Sequence, residues 1–122
     1  MNKIRTEKEP PKAISDYGWR YHYLGIPTSK PHTNEKYLAE NEMYVSGFEI
    51  SEFGIEWMRF EDNSPISELI QSVPHIAFEV DDLDKAIKRK KMIGKITAPS
   101  PGKRAAMIIE NGAPIELLEF SH

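Results

Sequence analysis

The sequence predicts an α+β domain built from two related strand-rich modules, and three observations predict it. A strand-to-helix unit runs from Val73 to Ile87. A strong hairpin signal, Asn111-Gly112, sits between two apolar runs near the end of the chain. The pattern around His75 and Glu116 also recurs in outline around Tyr23 and Glu56. The 122 residues, 14.0 kDa in mass, suit one domain with a real core.

The second half carries the clearer signals. Val73 to Val80 reads as a strand, with Asp81 as a helix N-cap and Asp84 as its acidic partner three residues on. Leu83, Ala86 and Ile87 supply the apolar helix face. Lys88 to Lys91 fill the last turns, where cations suit the dipole, and Gly94 is the expected stop. Ile96 to Ala98 is a short strand and Pro99 to Gly102 a loop. Arg104 to Glu110 and Ala113 to Phe120 are strands joined by the Asn-Gly turn. The resulting order is β-α-β-β-β.

The first half is less regular. Residues 1–16 are polar, with Pro10-Pro11 in their middle, and read as a loose arm, leaving 17–122 as the domain. Trp19 to Ile26 is a strand halted by Pro27, and a short helix is expected over Asn34 to Asn41. Met43 to Ile50 and Ile55 to Phe60 are strands, and Pro65 to Gln71 is one helical turn. Tyr23-Leu24-Gly25-Ile26 parallels His75-Ile76-Ala77-Phe78, and Ile55-Glu56-Trp57-Met58 parallels Ile115-Glu116-Leu117-Leu118. The modules therefore cover about 19–66 and 73–120. Tyr23 to Glu56 spans 33 positions (56 − 23) against 41 (116 − 75) for His75 to Glu116. The first copy is shortened by a strand or by most of its helix.

Composition narrows the function classes. A net charge of −3 argues against a nucleic-acid partner, which needs a basic face. The absence of cysteine excludes disulfides, thiolate zinc sites and cysteine nucleophiles. No apolar run approaches the length of a membrane span, and the first eight residues lack a signal-peptide core. A cytoplasmic protein acting on a small molecule is the expectation.

The stretch Pro74-His75-Ile76-Ala77-Phe78-Glu79-Val80-Asp81-Asp82-Leu83 resembles the vicinal oxygen chelate superfamily, the glyoxalase, bleomycin-resistance and extradiol-dioxygenase fold. Ile55 to Ile66, Ile-Glu-Trp-Met-Arg-Phe-Glu-Asp-Asn-Ser-Pro-Ile, resembles the end of the first module in methylmalonyl-CoA epimerases. The resemblance covers residues 19–120 and implies paired βαβββ modules forming a cupped sheet. It also implies a homodimer, since a short cupped sheet leaves edges that a partner can cover.

In metal-dependent members each module gives one ligand from its first strand and one from its last. Carried onto this chain, those positions are Tyr23, Glu56, His75 and Glu116. The resemblance thus implies a divalent ion (Zn, Ni, Co, Mn or Fe(II)) on His75, Glu116 and Glu56, with Tyr23 where a histidine is usual. Either glutamate is then a candidate base for a proton α to a carbonyl, as in an isomerase or lyase. Tyr21, Tyr23, Met58 and Arg104 are the candidate substrate contacts. Lys103 beside Arg104 could steer an anionic group, although a solvated basic pair is the reading the sequence favours.

Strand alternation places Tyr21, Tyr23 and Gly25 in the cup and His22, Leu24 and Ile26 behind it. Only a bulge would bring His22 round. The competing expectation is a metal-free binding protein of the resistance type. There Tyr21, Tyr23, Tyr37, Tyr44, Trp19 and Trp57 would line an aromatic groove.

Overall fold

The computed structural model describes residues 4–121. Eight strands form one curled sheet in the order β2-β3-β4-β1-β5-β8-β7-β6. They are β1 (Arg20–Pro27), β2 (Lys36–Leu38), β3 (Met43–Ser46), β4 (Ile55–Phe60), β5 (His75–Glu79), β6 (Lys91–Ser100), β7 (Lys103–Glu110) and β8 (Ala113–Phe120). Three one-turn helices accompany them: α1 (Lys12–Ser15), α2 (Glu68–Ser72) and α3 (Leu83–Ala86). Among the described residues no helix is long and apolar enough to cross a membrane.

The strand order carries the repeat. β1 pairs parallel with β4, β5 pairs parallel with β8, and β1 meets β5 antiparallel in the middle. The expected paired modules and cupped sheet are present. The shortening of the first module proves to be loss of its helix, with all four strands retained. Residues 36–38, expected within a helix, pair with β3 instead, and Ala39–Asn41 is a single 3-10 turn. Asn34 and Glu42 both have positive φ (64° and 48°), which breaks a continuous helix at either end. The Tyr37 and Tyr44 rings, 4.8 Å apart across the β2–β3 pair, favour the strand.

The convex face takes up the place of the missing helix with side-chain contacts. The His32 ring stacks on Trp57 at 4.9 Å, and Arg59 grips Glu35 through Nε and Nη2 at 2.9 and 2.7 Å. The Arg59 guanidinium also lies 4.1 Å from the Tyr44 ring centre.

In the second module the helix is shorter than its sequence pattern suggests. Asp82, not Asp81, caps α3, accepting from the Lys85 N–H at 3.1 Å. Arg89 adopts φ 61°, and Lys91 is already in β6. Pairing of Met92 with Ile108 and Ile93 with Met107 outweighs further helix. Gly94, with φ 71°, lies at an irregular point of that strand pair rather than at a helix end.

Alternation along the strands separates two apolar layers. Phe78, Val80, Leu83, Ala106, Ile108 and Leu117 form the core between the sheet and α3. Complete burial of Leu83 and Leu117 contributes about 1.5–3 kcal/mol each. Trp19 and Ala13 pack against this layer, and the Trp19 N–H donates to the Ala13 carbonyl at 2.9 Å. The end of the expected loose arm, from Pro11 onward, is thereby docked on the core. The opposite layer, Tyr23, Ala77, Ala105 and Leu118 with Phe120, is the floor of the cup.

Candidate active site

Three of the four positions singled out from the repeat converge on one point of the cup floor. Tyr23 projects from β1, His75 from β5 and Glu116 from β8, and Ala77 stands opposite both Tyr23 and Glu116 in the registers of β5 with its neighbours. Tyr23 Oη lies 3.0 Å from His75 Nε2 and donates a short hydrogen bond to Glu116 Oε1. His75 Nε2 and Glu116 Oε1 are 3.9 Å apart. His75 is only 2% exposed, Tyr23 is buried, and the Glu116 side chain keeps a 20% opening to solvent.

Donor counting fixes the histidine tautomer. A phenol has one O–H, and here it goes to Glu116. The contact with His75 therefore requires a proton on Nε2, which donates to Tyr23 Oη. Nδ1 is left as a buried acceptor without a partner. Burial drives the imidazole pKa down to about 4, so His75 is neutral at pH 7. Burial, followed by the charge and hydrogen bond of Glu116, raises the Tyr23 pKa far above the ordinary phenol value.

Gly25 makes this arrangement possible. It pairs with His75 on one side and Glu56 on the other. A Cβ at this position would lie 2.4 Å from His75 Cε1, so the ring can lie against the strand only because no side chain is there.

Glu56 approaches from β4. Counting strands β4-β1-β5-β8, the backbones of Glu56 and Glu116 are three spacings apart, about 14 Å along the sheet. Their side chains reach inward from opposite sides. Burial, then the charges of Glu116 and Glu49, push the Glu56 carboxyl up to about 7, with Lys103 opposing. The Glu116 carboxyl is also raised by burial, against the Tyr23 hydrogen bond and the Lys103 charge. Two carboxyl groups whose pKa values are raised by burial thus face one cup.

Of the other candidates, Tyr21 and Arg104 point away from the cup. The register of β1 against β5 slips between Tyr21, opposite Phe78, and Tyr23, opposite Ala77. A bulge at His22 turns Tyr21 to the Phe78 side, where its hydroxyl donates to the Phe53 carbonyl at 2.8 Å. Met58, two positions beyond Glu56 and so on the same face of β4, is buried with Met43 and Val45, against Leu38, Phe60 and Ile66. Arg104 lies on the helix side, bonded to Glu119 at 2.9 Å and Asp84 at 2.9 Å. It pairs with Glu119 in the β7–β8 register, one position out of phase with the cup-facing Leu118 and Phe120. The aromatic set is dispersed as well: Trp19 packs on the core, while Trp57, Tyr37 and Tyr44 are engaged as described above.

The same bulge brings His22 into the cup, contrary to simple alternation. Its ring lies 5.4 Å from Phe48, 5.4 Å from Phe120 and 5.9 Å from Tyr23. Phe48, from the loop after β3, stands edge-on to Tyr23 at 5.9 Å and walls the site. Neither Phe48 nor Phe120 carries a polar signature in sequence. The regular alternation of Trp19, Tyr21 and Tyr23 with Arg20 and His22 gives no sign of the bulge.

A divalent ion does not fit these donors as they stand. Ligand bonds of about 2.0–2.2 Å from His75 and Glu116 would meet in the space that Tyr23 Oη fills. Among the described residues no three His, Asp or Glu side chains gather as a ligand set. Two of the expected trio, His75 and Glu116, are instead bridged by the Tyr23 phenol.

Two solved structures share the architecture. A hypothetical protein, BH1468, from Bacillus halodurans C-125 superposes with a TM-score of 0.64 at 19% identity, over 85% of this chain and 96% of its own. Methylmalonyl-CoA epimerase from Mycobacterium tuberculosis superposes with a TM-score of 0.58 at 17% identity, over 84% of this chain and 89% of its own. At these identities the likeness establishes the fold alone. No protein-family model matches the sequence, and no curated protein sequence matches it either.

Proposed function

We propose that this chain is an isomerase of the vicinal oxygen chelate type that moves a proton α to the carbonyl of a small substrate. The observation that carries the reading is Glu56, a cup-facing carboxyl raised to about 7 and opposed by Glu116 on the far side of the floor. An acid–base group works best when its pKa lies near the working pH, and Glu56 meets that condition. Epimerisation needs one group to take the α-proton and another to return one from the opposite face. The placement of these carboxyls on β4 and β8 supports that division.

In this scheme Glu56 accepts the α-proton and the substrate becomes an enolate. The Tyr23 O–H, held protonated, stabilises the new oxygen charge by transferring its hydrogen bond from Glu116. Glu116, which enters the cycle protonated, returns its proton to carbon and regains one from solvent, while Glu56 loses its own to solvent. His75 is a positioning residue: its Nε2–H holds the Tyr23 oxygen in place. The epimerase among the structural relatives supports this choice at the level of fold.

A second reading, a metal-free binding protein, is supported by the wall of Phe48, His22, Tyr23 and Phe120. Exchange of α-protons into deuterated water separates the two. The isomerase reading expects exchange in simple keto acids and a loss of at least about 100-fold in Glu56→Gln. Tight binding without exchange supports the second reading and contradicts the first.

A further inference from the structure

The bulge at His22 does more than move one ring, because it sets that ring beside Lys103. Lys103 opens β7 directly opposite Phe120, and its ammonium stands 5.9 Å from the Phe120 ring centre. His22 packs against the same ring at 5.4 Å. Phe120 thus carries an imidazole and an ammonium at one edge of the cup. Among the described residues Lys103 makes no ion pair and the His22 ring makes no hydrogen bond. Its neighbour Arg104 is fully committed to Glu119 and Asp84 on the other face. The two basic residues that adjoin in sequence are therefore divided, one to hold α3 and one to face the cup.

We propose that His22 and Lys103 form an anion subsite at the rim of the cup, so that the substrate is a carbonyl compound bearing a carboxylate. This rests on the proton-transfer reading and names the substrate class for the same site. The division of labour is chemical. Lys103 supplies a positive charge that can approach a carboxylate without first breaking an ion pair. Burial lowers the His22 pKa, with the Lys103 charge adding to the effect and Glu79 opposing it, so at pH 7 His22 contributes a neutral N–H donor. Phe120 and Phe48 hold the imidazole between them and limit its swing. A carboxylate anchored here leaves its carbonyl end directed over Tyr23, which is 5.9 Å from His22 between ring centres. Lys103 also offsets the negative charge that an anionic substrate would otherwise meet from Glu56 and Glu116.

The test is a titration of isotope-labelled protein, followed by backbone amide shifts, with matched acids and amides: pyruvate and pyruvamide, 2-oxobutanoate and 2-oxobutanamide, acetoacetate and acetoacetamide. At least one acid is expected to shift the amides of Tyr23, Phe48 and Phe120 and to bind about tenfold or more tightly than its amide. Lys103→Met, which keeps the aliphatic stem, is expected to bring that ratio near one by weakening the acid much more than the amide. His22→Phe, which keeps the ring packing, is expected to weaken the acid several-fold. Equal binding of acids and amides, a preference that survives Lys103→Met, or no shift at the cup with any of the six compounds would overturn the subsite. Proton exchange is scored separately in the same samples. Acid preference without exchange retains the subsite and contradicts the proton-transfer reading, whereas exchange without acid preference does the reverse.

Discussion

Tyr23 Oη stands between His75 Nε2, at 3.0 Å, and Glu116 Oε1, to which it donates its only proton. One phenol therefore satisfies a buried imidazole and a largely enclosed carboxyl at once. Tyr23→Phe removes both contacts and changes little else in shape. The expected cost is about 1–3 kcal/mol for each polar group left without a partner. Urea denaturation of the variant checks this; a loss under a few tenths of a kcal/mol would mean that the hydrogen bonds do not organise the floor.

Gly25 offers an independent probe of the same floor. In Gly25→Ala the new methyl would sit 2.4 Å from His75 Cε1 and 2.9 Å from both ring nitrogens. The ring is 2% exposed and has no free space into which to retreat. Destabilisation of about 1–3 kcal/mol is expected, with displacement of the His75 ring resonances. An unperturbed histidine spectrum would contradict the packing.

The pH dependence of stability should report on Glu56. Its folded pKa is about 7, against 4.5 as the ordinary value. The folded state holds that proton more tightly, so the unfolded chain ionises first as pH rises. Wild-type stability therefore carries a penalty that is absent below about pH 4.5, grows towards pH 7 and is constant above it. Glu56→Gln lacks the penalty. The stability of the variant relative to wild type should rise by up to about 3 kcal/mol across that window. Chemical denaturation at a series of pH values checks it; a difference that does not vary with pH would show that Glu56 is solvated.

Much of this site could be read from the sequence because chemistry and period agreed there. The Val73 to Leu83 pattern gave His75 its strand and face, and the parallel with residues 23–26 located Tyr23 and Glu56. The Asn111-Gly112 turn, with φ of 48° and 84°, fixed the β7–β8 register and hence Glu116. What failed was long-range. A helix over 34–41 and a longer α3 both lost to strand pairing, which local propensity does not report. The sequence groups Arg104 with Lys103 at a loop mouth, whereas both lie in β7 and, as neighbours on a strand, point to opposite faces. Tyr21 and His22 exchanged faces through a bulge that only the partner strand reveals.

Tyr23→His tests why this cup does not suit a cation. The substitution removes the phenol from the space between His75 and Glu116 and replaces it with a ligating nitrogen. With His75, Glu56 and Glu116 that makes four donors of the kind Zn and Ni accept. The variant is expected to bind about one Zn per chain with a raised melting temperature, and wild type to show neither response. Equal Zn binding by both proteins would contradict the role given to Tyr23.

The most direct test of the central claim is α-proton exchange of pyruvate, 2-oxobutanoate and acetoacetate in deuterated water, followed by proton NMR with excess EDTA present. The account predicts exchange above the buffer rate that is unaffected by the chelator and falls at least about 100-fold in Glu56→Gln. Exchange that EDTA abolishes and added metal restores, or that survives Glu56→Gln, would contradict it.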